Sequence, residues 1–472
     1  MPTGGFSPTT HGPQTNPLES LRVHHKNSTT FPSPFEPTND VPPSANLMQL
    51  YYTYFHAAHP FILPPAYMVK TPALKLTVLL PVMRYVASIY SQLAPTENFH
   101  REAEAALFSS SHPSPAKDPF TVQALLLFCI GLHGSNEPDR AAQVKDIAVD
   151  LALELGMNHS GFTAPQSPDP NIQVLEESYR RTWWELYYID GLLATLHPAS
   201  STFRLWNVEC TVPLPCEESL YAGARVPPPA SLQSFDDRYF SPTSQTFSSF
   251  AYRVEAVRIL GQVLFSTPET EETTEASLSN WALHLPKSKK QVLNPDKTCD
   301  EMCFQAHVVI NLATIHLTRN KSQLLPPAPG EDTTTPNTTP EKDVNTTRCI
   351  MAANNISKLL TIPTPLVKHT PFLAGCVTAA SIVHLSAVGW LLVGDEGFLA
   401  KERVRLAVGV LGMLEEVWPG AAETGREVRG VAREVFKDVG WSEEEVDGAG
   451  VAGAEWFAAG SGKEEWDGSL GL

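Results

Sequence analysis

The run from Glu176 to His197, EESYRRTWWELYYIDGLLATLH, constrains this chain more than any other stretch, and Pro198 follows it at once. Tyr179, Trp183 and Tyr187 stand four residues apart, and Leu186, Leu193 and Leu196 extend an apolar side at helical spacing. A period near 3.6 puts these side chains on neighbouring turns of one helix. Burying each large aromatic is worth roughly 1.5–3 kcal/mol or more. The segment therefore predicts a helix buried on nearly every side, with Arg180, Arg181 and Glu185 as its wet or paired positions. Arg181 fits an i,i+4 pair with Glu185 and another with Glu177. Pro198 ends the helix, because a proline pushes its predecessor out of the helical region.

A helix buried all round needs other helices about it, and the sequence offers them. Leu47, Leu50, Tyr51, Tyr54, Phe55 and Ala58 fit one helical face, which His59-Pro60-Phe61-Ile62-Leu63-Pro64 breaks. Helical stretches are expected at 73–93 and 97–109. FTVQALLLFCIGLH (120–133) and the run 139–155 read as two helices joined by a short polar gap, hence a hairpin. Asp139 complements the dipole of the second helix, and Gly156 is its expected stop. Further helices are expected at 247–265, 303–319, 347–360, 371–393, 401–418 and 421–438. The stretch Trp206–Pro215 reads as an extended strip pinned by prolines. Residues 223–246 and 266–297 read as irregular loops. Few runs alternate with period two, so the expected fold is all-α: a large irregular helical bundle with Pro/Ser/Thr-rich loops.

The expected organisation is a disordered N-terminal tail at 1–45, a helical domain at 46–440 with a mobile linker at 320–346, and an acidic disordered tail at 441–472. Arg22, His24, His25 and Lys26 form a small basic cluster in the first tail, read as a solvated patch before a targeting signal. The acidic and aromatic residues of the last tail suit either solubility or an activation segment. The formal net charge of −17 makes the chain a poor nucleic-acid binder by itself, since phosphate neutralisation dominates such affinity. The N-terminus has no secretory pattern and no apolar run reaches a membrane span, so a soluble intracellular protein is expected, with no membrane contact.

Seven scattered cysteines (129, 210, 216, 299, 303, 349 and 376) suit a reducing compartment and make no framework. Cys210/Cys216 and Cys299/Cys303 each lack a second ligand pair nearby, so no metal is expected. The histidines at 56, 59, 133, 159, 197, 307, 316 and 384 read as core or capping residues. No nucleophile elbow, zinc-protease helix or phosphate loop occurs, so no catalytic residue or cofactor is assigned. Asp236-Asp237 could serve as a magnesium site of an all-α enzyme such as a terpene cyclase, but a solvated loop suits it better.

Glu177, Arg180, Arg181, Trp183, Trp184, Leu186, Tyr187 and Asp190 form the pattern acidic-x-x-Arg-Arg-x-Trp-Trp-x-Leu-Tyr-x-x-Asp. It resembles the central signature of the fungal-specific transcription factor domain, the middle homology region of Zn₂Cys₆ zinc-cluster regulators. The His59-Pro60 turn, the paired helices before Leu155-Gly156-Met157-Asn158-His159, and Glu209-Cys210-Thr211-Val212-Pro213-Leu214-Pro215 resemble other blocks of that family, in the same order. The resemblance spans about 45–440. It implies a nuclear regulator of transcription, not an enzyme, set among pathway or secondary-metabolite gene clusters. It also implies DNA-bound transcription factors or transcription machinery as partners, with a small-molecule effector and a homo- or hetero-oligomer left open. The six closely spaced cysteines of the zinc cluster are absent from these residues. Direct sequence-specific DNA contact is therefore not expected from this chain alone, and a truncated form of a DNA-binding activator stays an alternative. The eight signature residues are read as mainly structural. Arg180 and Arg181 suit ion pairs better than contacts to an anionic effector, and Trp183 and Trp184 suit the core better than a ligand box.

Overall fold

The computed structural model describes residues 43–438 apart from 92, 109–115, 164–168, 241–245 and 326–338. Of the expected tails at 1–45 and 441–472, residues 1–42 and all of 441–472 lie outside the described residues, while 43–45 are not tail but the start of a helix. Sixteen α-helices occur among the described residues. Extended pairing there is confined to isolated bridges at Leu214–Ala230 and Leu293–Cys299. The fold is all-α, as the periodicity predicts.

The first half begins with α1 (Pro43–Leu50), which runs into a π-helical turn at Tyr51–Phe55, then α2 (Pro65–Met68), α3 (Leu79–Ile89) and α4 (Thr96–Leu107). The hairpin follows as α5 (Pro119–Gly134) and α6 (Pro138–Glu154). Asp118 caps α5 by accepting from Phe120 N at 2.7 Å, and Pro119 and Pro138 open the two helices where a missing N–H costs nothing. Gly156 sits at φ +72° just past α6, a left-handed position that suits glycine.

The central helix is α7 (Pro170–Leu196), six residues longer at its start than the aromatic pattern indicates. Asp169 and Pro170 supply that start, Asp169 accepting from Asn171 N at 2.9 Å. Every residue from Arg180 to Thr195 is buried. At 1.5 Å per residue α7 is about 40 Å long, enough to cross a small domain. It packs against α5, α6 and α10 (Ser249–Leu264), after the short α8 (Glu218–Ala222) and α9 (Leu232–Asp236).

The second half adds α11 (Glu271–His284), α12 (Glu301–Thr318), α13 (Pro340–Leu359), α14 (Leu373–Trp390), α15 (Gly394–Glu415) and α16 (Gly420–Asp438). The helix α10 packs on both α11 and α12, consecutive helices pack in turn from α12 to α16, and α16 returns to α5. The ends meet closely: a Cβ on Gly134 would stand 2.2 Å from the ring of Trp418, so only glycine fits. Ile315, Cys349, Ala352, Ile356, Val383 and Ala387 fill the contact of α12, α13 and α14.

Three further segments differ from expectation, the first being 223–246, read as a loop, which contains α9 and a 3-10 turn at Asp237–Tyr239. Residues 266–297 contain α11, whose apolar stripe is only Thr274, Leu278 and Trp281, too narrow in a Thr/Ser/Glu-rich run to stand out. The third is α13, which starts at Pro340 inside the expected linker, with Thr339 accepting from Lys342 N at 3.3 Å and Glu341 and Asp343 in its first turn.

Candidate functional site: a buried junction around the central helix

The chain from Ala58 to Pro64 is not helical, yet it is buried throughout. Pro60 and Pro64 forbid a helix there. Its carbonyls then need donors from elsewhere, since an unpaired buried backbone group costs about 1–3 kcal/mol. Side chains supply them one by one. Gln305 Nε2 donates to Ala58 O at 2.8 Å, and Arg181 Nη1 to Pro60 O at 2.9 Å. Ser178 Oγ donates to Phe61 O at 2.7 Å, Tyr221 OH to Ile62 O at 3.2 Å and Tyr52 OH to Leu63 O at 2.8 Å. Gln123 Nε2 reaches Ser178 Oγ and Thr182 Oγ1, both at 2.9 Å. The His-Pro turn and the central helix are thus two halves of one network.

Arg181 is fully buried at the middle of it. Its Nε donates to Glu177 Oε1 at 2.9 Å and its Nη2 to Cys216 O at 3.0 Å, while Nη1 also meets Glu218. The guanidinium lies 4.0 Å above the Tyr221 ring. Glu177 accepts further from Arg180 and from Cys216 N, the latter at 2.9 Å. Burial alone would push the Glu177 carboxyl up; Arg180, Arg181 and these hydrogen bonds outweigh it and hold the group below its ordinary value.

The expected Arg181–Glu185 pair does not form. Glu185 faces another side, where Arg253 Nη2 donates to Oε2 at 2.5 Å and His59 Nδ1 lies 2.6 Å from Oε1. Against the pull of burial, Arg253 and His59 keep this carboxyl below its ordinary value too. A carboxylate only accepts, so His59 Nδ1 carries the proton. His59 Nε2 meets Thr370 Oγ1 at 3.0 Å, Arg253 Nη1 donates to Gln305 Oε1 at 2.7 Å, and Gln305 reaches Glu301 at 3.1 Å. Glu301 meets His369 at 2.7 Å. One chain of partners therefore ties α7, α10, α12, the His59 turn and the loop before α14.

The other signature residues are equally committed. Trp183 donates its indole N–H to Cys210 Sγ at 3.1 Å, and Trp184 to Pro213 O at 2.9 Å. The proline-pinned strip runs across the indole edges. Asp190 accepts from Leu205 N at 2.7 Å and faces Lys145 Nζ at 2.9 Å, both side chains fully buried. Burial raises the Asp190 carboxyl, and Lys145 offsets this only in part. Leu186 is wholly buried, and Tyr187 packs edge-on against Trp184 and Phe203. Arg180 is 5% exposed and bonded to Glu177, not wet.

Residues outside the signature complete the junction, and sequence reasoning missed them: Gln123, Lys145, Arg253 and Gln305. Gln123 and Gln305 each interrupt an otherwise apolar helical run, FTVQALLL and MCFQAHVV, and that interruption was the available signal; Lys145 and Arg253, among other charged residues, gave none.

The junction is closely packed. The cavity touching α7, at Tyr188 and Leu192, has a volume of about 10 Å³, and a single water needs about as much. Among the described residues no cluster of three His, Cys, Asp or Glu side chains has metal-binding geometry. Cys303 Sγ donates to Lys289 O at 3.1 Å, and burial pushes the Cys216 thiol up to about 12. Asp236, expected in a loop, ends α9 and takes Arg258 at 2.7 Å; Asp237 takes Gln233 at 2.8 Å. No described helix is long and apolar enough to cross a membrane.

Residues 48–286 match the model of the fungal-specific transcription factor domain, a span that holds the whole signature helix and most of its partners. The chain belongs to the fungal-specific transcription factor domain family. It is 35% identical over 425 residues to the C6 finger domain transcription factor iacK of Pestalotiopsis fici, an alignment covering 84% of this chain and 62% of that protein. The chain thus spans less than two thirds of the relative's length. No solved structure matches it. In this member of the family, the signature packs and satisfies the buried His59–Pro64 segment.

Proposed function

We propose that this chain is a transcriptional regulator of a fungal pathway, in the setting of a secondary-metabolite gene cluster, and that it works in the nucleus by binding rather than catalysis. Membership of the fungal transcription factor domain family carries the reading, and the similarity to a C6 finger transcription factor supports it. The closed, ion-paired build around α7 agrees with a domain that presents surfaces and not a reaction chamber. DNA engagement then runs through a DNA-bound partner, or through a zinc-cluster module outside these 472 residues, because a net charge of −17 opposes phosphate contact by this chain itself.

The test pairs two measurements: chromatin occupancy of the tagged chain in fungal cells, and promoter binding by the pure chain at moderate salt. Occupancy in cells with weak binding in vitro supports the reading. Tight promoter binding by the pure chain overturns the indirect route, and lack of both occupancy and any transcript change on deletion overturns the function.

A further inference from the structure

A cleft of about 410 Å³ opens between α11, α12 and α13. That volume lies within the range of small-molecule sites, roughly 300–1,000 Å³. It exists because α11 buries only a narrow stripe and stands on small residues of its neighbours, Ala352 and Thr314 among them. Its walls are apolar, with Leu278, Ala282 and Leu285 on one side and Met351 on the other. At the rim Leu283 is 70% exposed, apolar surface left in water in the free chain.

The charged groups are of one sign, beside the hydroxyls of Ser279 and Thr314. Arg348 and Lys290 line the cleft, and no acidic side chain does. Glu275 takes Arg348 Nη1 at 3.0 Å from outside the lining, which orients the guanidinium and leaves its remaining donors without protein partners among the described residues. His307, also in the wall, donates Nε2–H to Lys289 O at 3.0 Å, and burial holds its pKa at about 4, so it adds no charge.

We propose that this cleft binds a small amphipathic carboxylate, its apolar body between α11 and α13 and its carboxylate on Arg348. A planar guanidinium suits a carboxylate, and the apolar walls reward a hydrocarbon or aryl body. Such a ligand bridges α11 to α13 and favours the state in which both are docked. Binding stands on the cleft alone; its role as a regulatory signal rests on the transcriptional reading above.

The experiment uses the full chain with three probes, 4-phenylbutyrate, 1-naphthoate and decanoate, each beside its neutral amide. Unfolding temperature and hydrogen exchange over 271–284 and 340–359 report binding. At least one acid should raise the midpoint saturably and protect both helices, with its amide weaker by on the order of tenfold. Arg348→Met should weaken the acid by a similar factor, and Ala282→Phe, which fills the cleft and keeps its charges, should abolish binding. Unliganded midpoints show that each variant folds. No protection by any acid at millimolar concentration, equal binding of acid and amide, or binding that survives both variants overturns the site. A promoter reporter in cells separates the two claims. Acid binding with a reporter that ignores the chain altogether sinks the regulatory reading alone. A responsive reporter with no acid binding sinks the site alone.

Discussion

Arg181→Met is the most informative single change in this protein. The side chain keeps an unbranched apolar stem and loses a guanidinium that bonds Glu177, Pro60 O, Cys216 O and Glu218. Glu177 is left fully buried with Arg180 and one backbone N–H as partners. The Pro60 carbonyl keeps no donor among the described residues. Breaking a buried ion pair from one side costs about 3–5 kcal/mol, and each stranded acceptor costs about 1–3 kcal/mol, terms that overlap and do not add. A loss of about 4 kcal/mol follows, a large share of the 5–15 kcal/mol typical of folded proteins. Arg181→Lys keeps the charge but not the fork, so it should lose about half as much. Urea unfolding followed by tryptophan fluorescence and far-UV circular dichroism gives the difference. Hydrogen exchange should show the Phe61–Leu63 amides opening first. A loss below about 1 kcal/mol would refute the idea that this network holds the buried turn. An unchanged midpoint together with lost promoter activity would give Arg181 a ligand role instead.

Other expectations use the same measurements. Trp183→Ala should cost about 3–5 kcal/mol through the cavity it leaves, and unaltered unfolding with lost activity would contradict a core role. Gly134→Ala should cost about 1–3 kcal/mol because the new methyl meets Trp418, and a neutral result would show that the α5–α16 contact relaxes freely. Acidification should weaken the fold before ordinary carboxylates titrate. Burial holds the buried imidazoles of His307 and His384 at about 4 and about 3. The unfolded chain protonates both near pH 6.5 while the folded chain does not, so stability falls as pH drops, by roughly 1.4 kcal/mol per imidazole per unit below that value. Between pH 7.5 and 5.5 the pair should remove about 2–3 kcal/mol. The depressed carboxyls of Glu177 and Glu185 add a further loss below about pH 4.5, where the unfolded chain takes up their protons first. Urea midpoints that stay level from pH 7.5 to 5.5 would sink the histidine argument.

The sequence by itself determined that the chain is helical, where most helices lie and that the Trp183–Trp184 segment is interior. Periodicity does this because a helix face is a local property, written every three or four residues. Helix stops were legible for the same reason at Gly156 and Pro198. The α11 helix was not, since three buried positions in a polar run leave too faint a period.

Only the tertiary structure decided what the charged residues do. Within one helix Arg181 suits Glu185 as well as Glu177, and spacing cannot choose between them. The fold chooses, because Glu185 points at Arg253 and His59, far away in sequence, while Arg181 points at Pro60 and Cys216. The cleft beside Arg348 is also tertiary, formed where three helices fail to close on one another. Hydrophobic burial asks only for an apolar face and so is encoded locally; hydrogen bonds and ion pairs need a particular partner at a particular distance, and the fold alone supplies it.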